Sequence, residues 1–141
     1  MKGIYCLCIE NHNDQSIKIG ALGETEFRKG YYIYVGSAIN SLIPRLERHL
    51  KMSRGEQHVY HWHIDYLLKE PTVELKFIYI KETEQHIECR IADLVGKQGL
   101  PMLSFGCSDC NCKSHLYKVK DFKFLKKIGL KKWYQRLSSI S

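Results

Sequence analysis

The sequence predicts an α+β fold, with a small, mostly antiparallel sheet flanked by helices. Three observations carry this reading. Residues 31–37 are dominated by aromatic and β-branched side chains, the composition that suits a half-buried pleated surface, and residues 3–9 form a strand-like apolar run closed by a turn. Leu42, Leu46 and Leu50 recur at helical spacing. The elements then follow in the order strands, helix, strand, helix, which points to α+β rather than to regular βαβ alternation.

The first strand, Gly3 to Ile9, closes on the turn-rich run Asn11-His12-Asn13-Asp14. Ile17 and Ile19 alternate with polar neighbours and suggest a second strand, hairpin-paired to the first. The glycine-punctuated stretch from Gly20 to Gly30 reads as a short ribbon or loop. Tyr31 to Ser37 is the clearest strand in the chain. Within it Tyr32 shares parity with Tyr34, and Tyr31 points the other way.

Asn40 or Ser41 can cap a helix through about Met52, with Pro44 tolerated in the first turn. A short helix is predicted over Trp62 to Leu68, a strand over Val73 to Ile80, and a helix over Glu84 to about Val95. In the last of these Ile87, Ile91 and Leu94 face inward. The tail from Lys118 to Lys132 interleaves lysines with Phe122, Phe124, Leu125, Ile128 and Trp133, so a docked strand and amphipathic helix are expected rather than a free tail. The organisation predicted is one domain over 1–141, with 118–141 as a basic C-terminal extension docked on it.

At 141 residues, 44% of them hydrophobic, the chain is long enough to bury a core without help from a metal or disulfide. A formal net charge of +7 and a pI near 9.1 favour an anionic partner such as nucleic acid. No stretch approaches the roughly 20 apolar residues of a membrane span. Met1-Lys2 leads directly into a strand with no secretory apolar core, so a cytoplasmic location is expected. There the six cysteines are expected as thiols or metal ligands rather than disulfides. Cys6 and Cys8 share one strand face and suit core positions.

Several polar residues stand out by spacing. Arg45 and His49 are one helical turn apart, so both can reach one anion, while Arg48 is placed to meet nucleic-acid backbone or solvent. The same arginines also suit an ordinary solvated face, and Tyr5, Tyr31, Tyr32 and Tyr34 also suit sheet packing. His61 and Asp65 align at four-residue spacing on a helix, with His63 elsewhere. This cluster can supply a second metal or phosphate contact, or can cap and pack the helix around Trp62. Cys107, Cys110, Cys112 and His115 offer four zinc ligands within nine residues. The other reading of that run is a turn that presents Asp109 and His115 to a functional site.

Gly3-Ile4-Tyr5, Tyr34-Val35-Gly36, Arg45 with His49, and Glu88 together resemble the signature of the GIY-YIG nuclease superfamily. The phrases Gly30 to Ala38, His61 to Tyr66 and Ser108 to Leu116 resemble an uncharacterised, largely archaeal and bacterial branch, sometimes joined to endonuclease III-like proteins. The resemblance covers Gly3 to about Tyr117. It implies a small antiparallel sheet carrying both tyrosines and metal-dependent hydrolysis of phosphodiester bonds in DNA. The cofactor implied is one divalent ion, Mg²⁺ or Mn²⁺, held by Glu88; a structural Zn²⁺ on the cysteine run is the lesser expectation.

The resemblance also implies roles for individual residues. Tyr5 and Tyr34 would sit near the attacking water, Arg45 would neutralise the scissile phosphate, and His49 would assist proton transfer or bind phosphate. Gly36 and Ser37, with Arg48, would contact nucleic acid. A DNA-repair protein is an expected partner. The alternative is a catalytically inactive nucleic-acid-binding module that serves a partner enzyme. Tyr5 and Tyr34 are 29 residues apart, a spacing that an inserted ribbon accounts for.

Overall fold

The strand β1 (Gly3–Asn11) is buried on both of its faces, and everything else is arranged around it. In this computed structural model, which describes residues 1–106 and 112–137, β1 lies between β4 (Gly30–Ala38) and β5 (Val73–Glu82). The sheet runs β6-β7-β4-β1-β5-β8, with β6 (Gly99–Pro101), β7 (Leu116–Val119) and β8 (Lys131–Gln135), and every pairing is antiparallel. The fold class read from the sequence is the one observed.

Alternation sends Tyr5, Leu7 and Ile9 into one core and Ile4, Cys6 and Cys8 into another. The first core is closed by α1 (Leu42–Ser53) and α2 (His63–Leu68), through Leu42, Leu46, Leu50, Ile64, Leu67 and Leu68. The second is closed by α3 (Glu88–Gly96) and by the segment after β7, through Ile91, Val95, Phe122, Leu125 and Leu130. On β5, Val73 and Leu75 share the first core with Ile78 and Ile80, although their parities differ. A bulge reconciles them: Cys8 faces Phe77 and Ile9 faces Leu75, which leaves Lys76 as the extra residue.

The inserted ribbon is present between the two tyrosine motifs. It is β2 (Gln15–Lys18) paired with β3 (Glu24–Phe27), a separate two-stranded sheet. The expected hairpin between β1 and the second strand does not form, because β4 and β5 already occupy both edges of β1. Buried Asn11 secures the ribbon, its Nδ2 donating to the carbonyls of Phe27 and Arg28 at 3.3 and 3.1 Å.

Two helical expectations change. The helix expected from Glu84 starts at Glu88, since Ile87 has φ −112° and ψ 18° and residues 83–87 pass over the sheet end as a turn. In the tail, a single 3-10 turn at Lys123–Leu125 replaces the expected amphipathic helix, and β8 then pairs with β5. Gly129, at φ +97°, ends the helical path, and a strand there covers the otherwise open edge of β5. Its exposed Lys131 and Lys132 guard the new edge against further strand pairing. Among the described residues no helix is long and apolar enough to cross a membrane.

Gly36 is required by its neighbour across the sheet. It pairs with Tyr5, and a Cβ at Gly36 would stand 2.4 Å from Tyr5 Cζ and 2.5 Å from its hydroxyl oxygen. The phenol therefore lies over a bare backbone. Gly36→Ala is expected to cost about 1–3 kcal/mol of overpacking, and less when Tyr5→Ala is also present. A double-mutant cycle in urea measures this coupling; additive losses would separate the two residues.

Candidate functional site

The C-terminal end of β4, the start of β1, α1 and the turn before α3 enclose an open cleft of about 570 Å³. Tyr5, Tyr34, Gly36, Ser37, Arg45 and Glu88 all line it, residues drawn from four elements. Trp62 and Cys89 line it as well. Gln85 and His86, from the segment that displaced the expected helix start, also line it.

On the phenol side, Tyr5 Oη lies 2.8 Å from His49 Nε2. Burial pushes the Tyr5 phenol up to about 12 despite the Arg45 guanidinium beside it, so it is neutral at ordinary pH. Burial likewise raises Tyr34 well above the usual phenol range, reinforced by the neighbouring Tyr5 phenol and by the Glu88 and Asp65 carboxylates. His49 is 1% exposed and stands behind Tyr5, outside the lining of the cleft. Burial, with Arg45 and Arg48 nearby, lowers it to about 3, and its Nδ1 is buried without a hydrogen-bond partner. A neutral imidazole in this position holds the phenol's orientation and does not reach a phosphate in the cleft.

On the carboxylate side, Glu88 sits in the first turn of α3, where the helix dipole favours its charge. The Ser37 hydroxyl donates to Glu88 Oε1, and His115 Nδ1 lies 2.9 Å from Oε2. Burial alone would raise this carboxyl, but the hydrogen bonds from His115 and Ser37, with Arg45, hold it below the ordinary carboxylate value. His115 is itself buried, its Nδ1 also 3.0 Å from the Val35 carbonyl. Ser37, expected as a nucleic-acid contact, is here engaged with Glu88, and its carbonyl accepts from Arg45 Nη1 at 3.0 Å.

The two arginines of α1 have different surroundings. Arg45 opens on the cleft with its guanidinium 4.4 Å from the Trp62 ring centre. Arg48, 4.8 Å from the same ring, donates to both Asp65 oxygens at 3.2 Å and to the Val59 carbonyl at 2.5 Å. Asp65 is fully buried and also accepts the backbone N–H groups of His61 and Trp62, at 2.8 and 3.0 Å. Arg48 is therefore spent on closing α1 against α2 rather than offered to a partner.

His61, His63 and Asp65 do not converge. His61 precedes α2 and its ring tilts against Trp62, while His63 Nδ1 accepts from the Gly106 N–H at 2.9 Å. Burial lowers His63 below its usual value.

Cys107, Asp109 and Cys110 lie outside the described residues. Cys112 does not stand with a self-contained zinc run: it is disulfide-bonded to Cys89, 23 positions earlier. That corrects the expectation of thiols or metal ligands rather than disulfides, while Cys6 and Cys8 are free and buried. Sequence reasoning missed Cys89 and Trp62. Adjacency to Glu88 was the signal for the first; for the second it was an indole one residue from two histidines and seventeen from Arg45.

Fold and cleft together define a class: a small α+β domain whose antiparallel sheet presents two phenols, a guanidinium and a carboxylate to one opening. A family model described as a domain of unknown function, DUF123, matches residues 4–137, and the chain belongs to that family. No curated protein and no solved structure matched it.

Two outcomes test this description. Arg48→Ala strands the buried Asp65 carboxylate and is expected to cost roughly 3 kcal/mol, whereas Arg45→Ala costs no more than about 1 kcal/mol; equal losses in urea melts would contradict the division. His49, lowered from 6.5 to about 3, contributes stability that is complete above pH 6.5 and lost as pH falls through 3. The contribution is on the order of 4–5 kcal/mol. His49→Gln is therefore expected to flatten the acid limb of a Tm-versus-pH curve, and parallel limbs would remove the assignment.

Proposed function

We propose that the chain is a metal-dependent endonuclease of the GIY-YIG type that hydrolyses phosphodiester bonds in DNA. The observation that supports it most is the meeting of Arg45, Glu88, Tyr5 and Tyr34 at one open cleft. These residues lie far apart in the sequence, and packing alone does not require an arginine and a glutamate to share an opening. The basic charge of the chain suits a polyanionic substrate, and a DNA-repair setting is part of the same proposal.

The donor set fits Mg²⁺ or Mn²⁺. Glu88 is ionised at neutral pH, its side chain is 30% exposed at the cleft, and its oxygens are the hard donors such ions take. When bound, the ion supplies acidity to a water molecule and charge neutralisation to a phosphate.

The remaining work falls to side chains already in position. Ser37 and His115 fix the Glu88 carboxylate by hydrogen bonds to its two oxygens. Arg45, steadied by Trp62 and the Ser37 carbonyl, neutralises the scissile phosphate as negative charge builds on it. Tyr5 is neutral and held by His49, so its oxygen can orient the attacking water. His49, lowered to about 3, is too weak a base to be the final proton acceptor and acts by holding Tyr5. Tyr34, on the same sheet face, offers a second phenol to the phosphate or the water.

The expected outcome is nicking or cutting of plasmid or branched DNA in Mg²⁺ or Mn²⁺, abolished by a chelator. Tyr5→Phe, Arg45→Ala and Glu88→Ala, each shown folded by circular dichroism, should lower the rate by about 10²–10³-fold. Undiminished cutting by Glu88→Ala would defeat the metal role. Salt-sensitive binding with no cleavage in either ion would instead make the chain a binding module that serves a partner enzyme.

A further inference from the structure

The cysteines bordering the cleft are not needed for the hydrolytic reading, yet they gather beside it. Cys89 follows Glu88 on α3, Cys112 precedes β7, and His115 is packed between Glu88 and Val35. The ligand atoms of Cys89, Cys112 and His115 all lie within 4.8 Å of one another. Two ligands on one tetrahedral zinc ion stand about 3.8 Å apart, so the imidazole is within reach of both sulfurs, and the sulfurs themselves must separate from bonding distance once the disulfide opens.

The hydrogen bonding of His115 suits a ligand role for the ring. Its Nδ1 faces two acceptors, the Glu88 carboxylate at 2.9 Å and the Val35 carbonyl at 3.0 Å. The proton of a neutral ring therefore belongs on Nδ1, which makes Nε2 the lone-pair nitrogen. A carboxylate and a carbonyl holding the far nitrogen is the usual outer support of a histidine that binds metal.

We propose that, when the Cys89–Cys112 disulfide is reduced, Cys89, Cys112 and His115 form a three-ligand Zn²⁺ site at the edge of the cleft. Sulfur and imidazole donors select a borderline-soft ion and reject Mg²⁺, so this site is distinct in chemistry from the Glu88 oxygens. A dithiol reductant supplies two electrons and two protons, breaking the S–S bond to give two thiols while its own sulfurs join as a disulfide. Zn²⁺ then displaces both thiol protons to solvent and takes two thiolates and one imidazole lone pair. The oxidised and zinc-bound forms are mutually exclusive, because the same two sulfurs make either the S–S bond or the Zn–S bonds.

Among the described residues the other group with ligand spacing, Glu10, His12 and Glu74, is committed elsewhere. Glu10 pairs with Lys76 at 2.9 Å, and Glu74 with His12 at 2.7 Å and Arg136 at 3.7 Å.

The test uses the full chain and Zn²⁺ itself, read as metal content and thiol count, so it does not depend on nuclease activity. Oxidised protein is expected to retain no zinc after desalting. Protein reduced with a dithiol and desalted without oxygen should retain one zinc per chain and should shield two thiols from alkylation. Cobalt(II) should give thiolate-to-metal charge-transfer bands in the reduced form alone. Cys89→Ser and Cys112→Ser should lose the zinc, and Cys8→Ser should keep it. Zinc at full stoichiometry in Cys89→Ser would overturn the proposal in favour of a site built within Cys107–His115. Reduced unmutated protein that takes up no zinc would overturn it as well, whatever the folding of the variants.

Discussion

The double burial of β1 is the constraint on which the rest of the structure depends. Both of its faces carry apolar side chains, so its register is set by the shapes of two cores rather than by a polar solvent face. Here a one-residue slip would send Tyr5, Leu7 and Ile9 into the core that holds Ile4, Cys6 and Cys8, where α3 and the tail leave different space. Fixed in this way, β1 sets the height of Tyr5 against Gly36 on one side and Ile80 on the other. The cleft opens at that level. Its floor is thus a consequence of core packing, and its rim is made from the turns that follow.

Helix α1 shows how one short segment serves both core and cleft. Arg48 turns toward the buried Asp65 and holds α2 in place. Arg45, three residues earlier, lies on the cleft side and rests on Trp62, the residue at which α2 begins. His49 fills the space beneath and supports the Tyr5 hydroxyl. Arg45 and Arg48 point about 60° apart around the same helix, one toward the cleft and one toward Asp65, with Trp62 in contact with both guanidinium groups.

Most of the elements were legible in the sequence because their signals are local. A turn-bounded apolar run marks β1, an aromatic and β-branched run marks β4, the Leu42, Leu46 and Leu50 stripe marks α1, and the ribbon between the tyrosine motifs follows from their spacing. The tail reads as a docked strand and an amphipathic helix; the strand is present as β8, and a 3-10 turn stands where the helix is expected. Its apolar spacing suits either a helix or packed turns, and only the vacant edge of β5 favours a strand. The start of α3 was likewise misplaced, since Glu84 to Ile87 has helical composition but must cross the sheet end.

The motif residues were likewise recognisable as a set, but their divisions of labour were not. By itself the sequence determined the α+β class, the paired tyrosine words and the basic helix, while Glu88 stood out only through the family resemblance. Periodicity and residue chemistry act over a few positions, so they survive without a fold. Tertiary structure alone decided that Arg48 serves Asp65, that His49 stands behind Tyr5, that His115 grips Glu88, and that Cys89 meets Cys112. Each of these is a contact between segments distant in the chain, and its geometry exists only once both faces of β1 are covered.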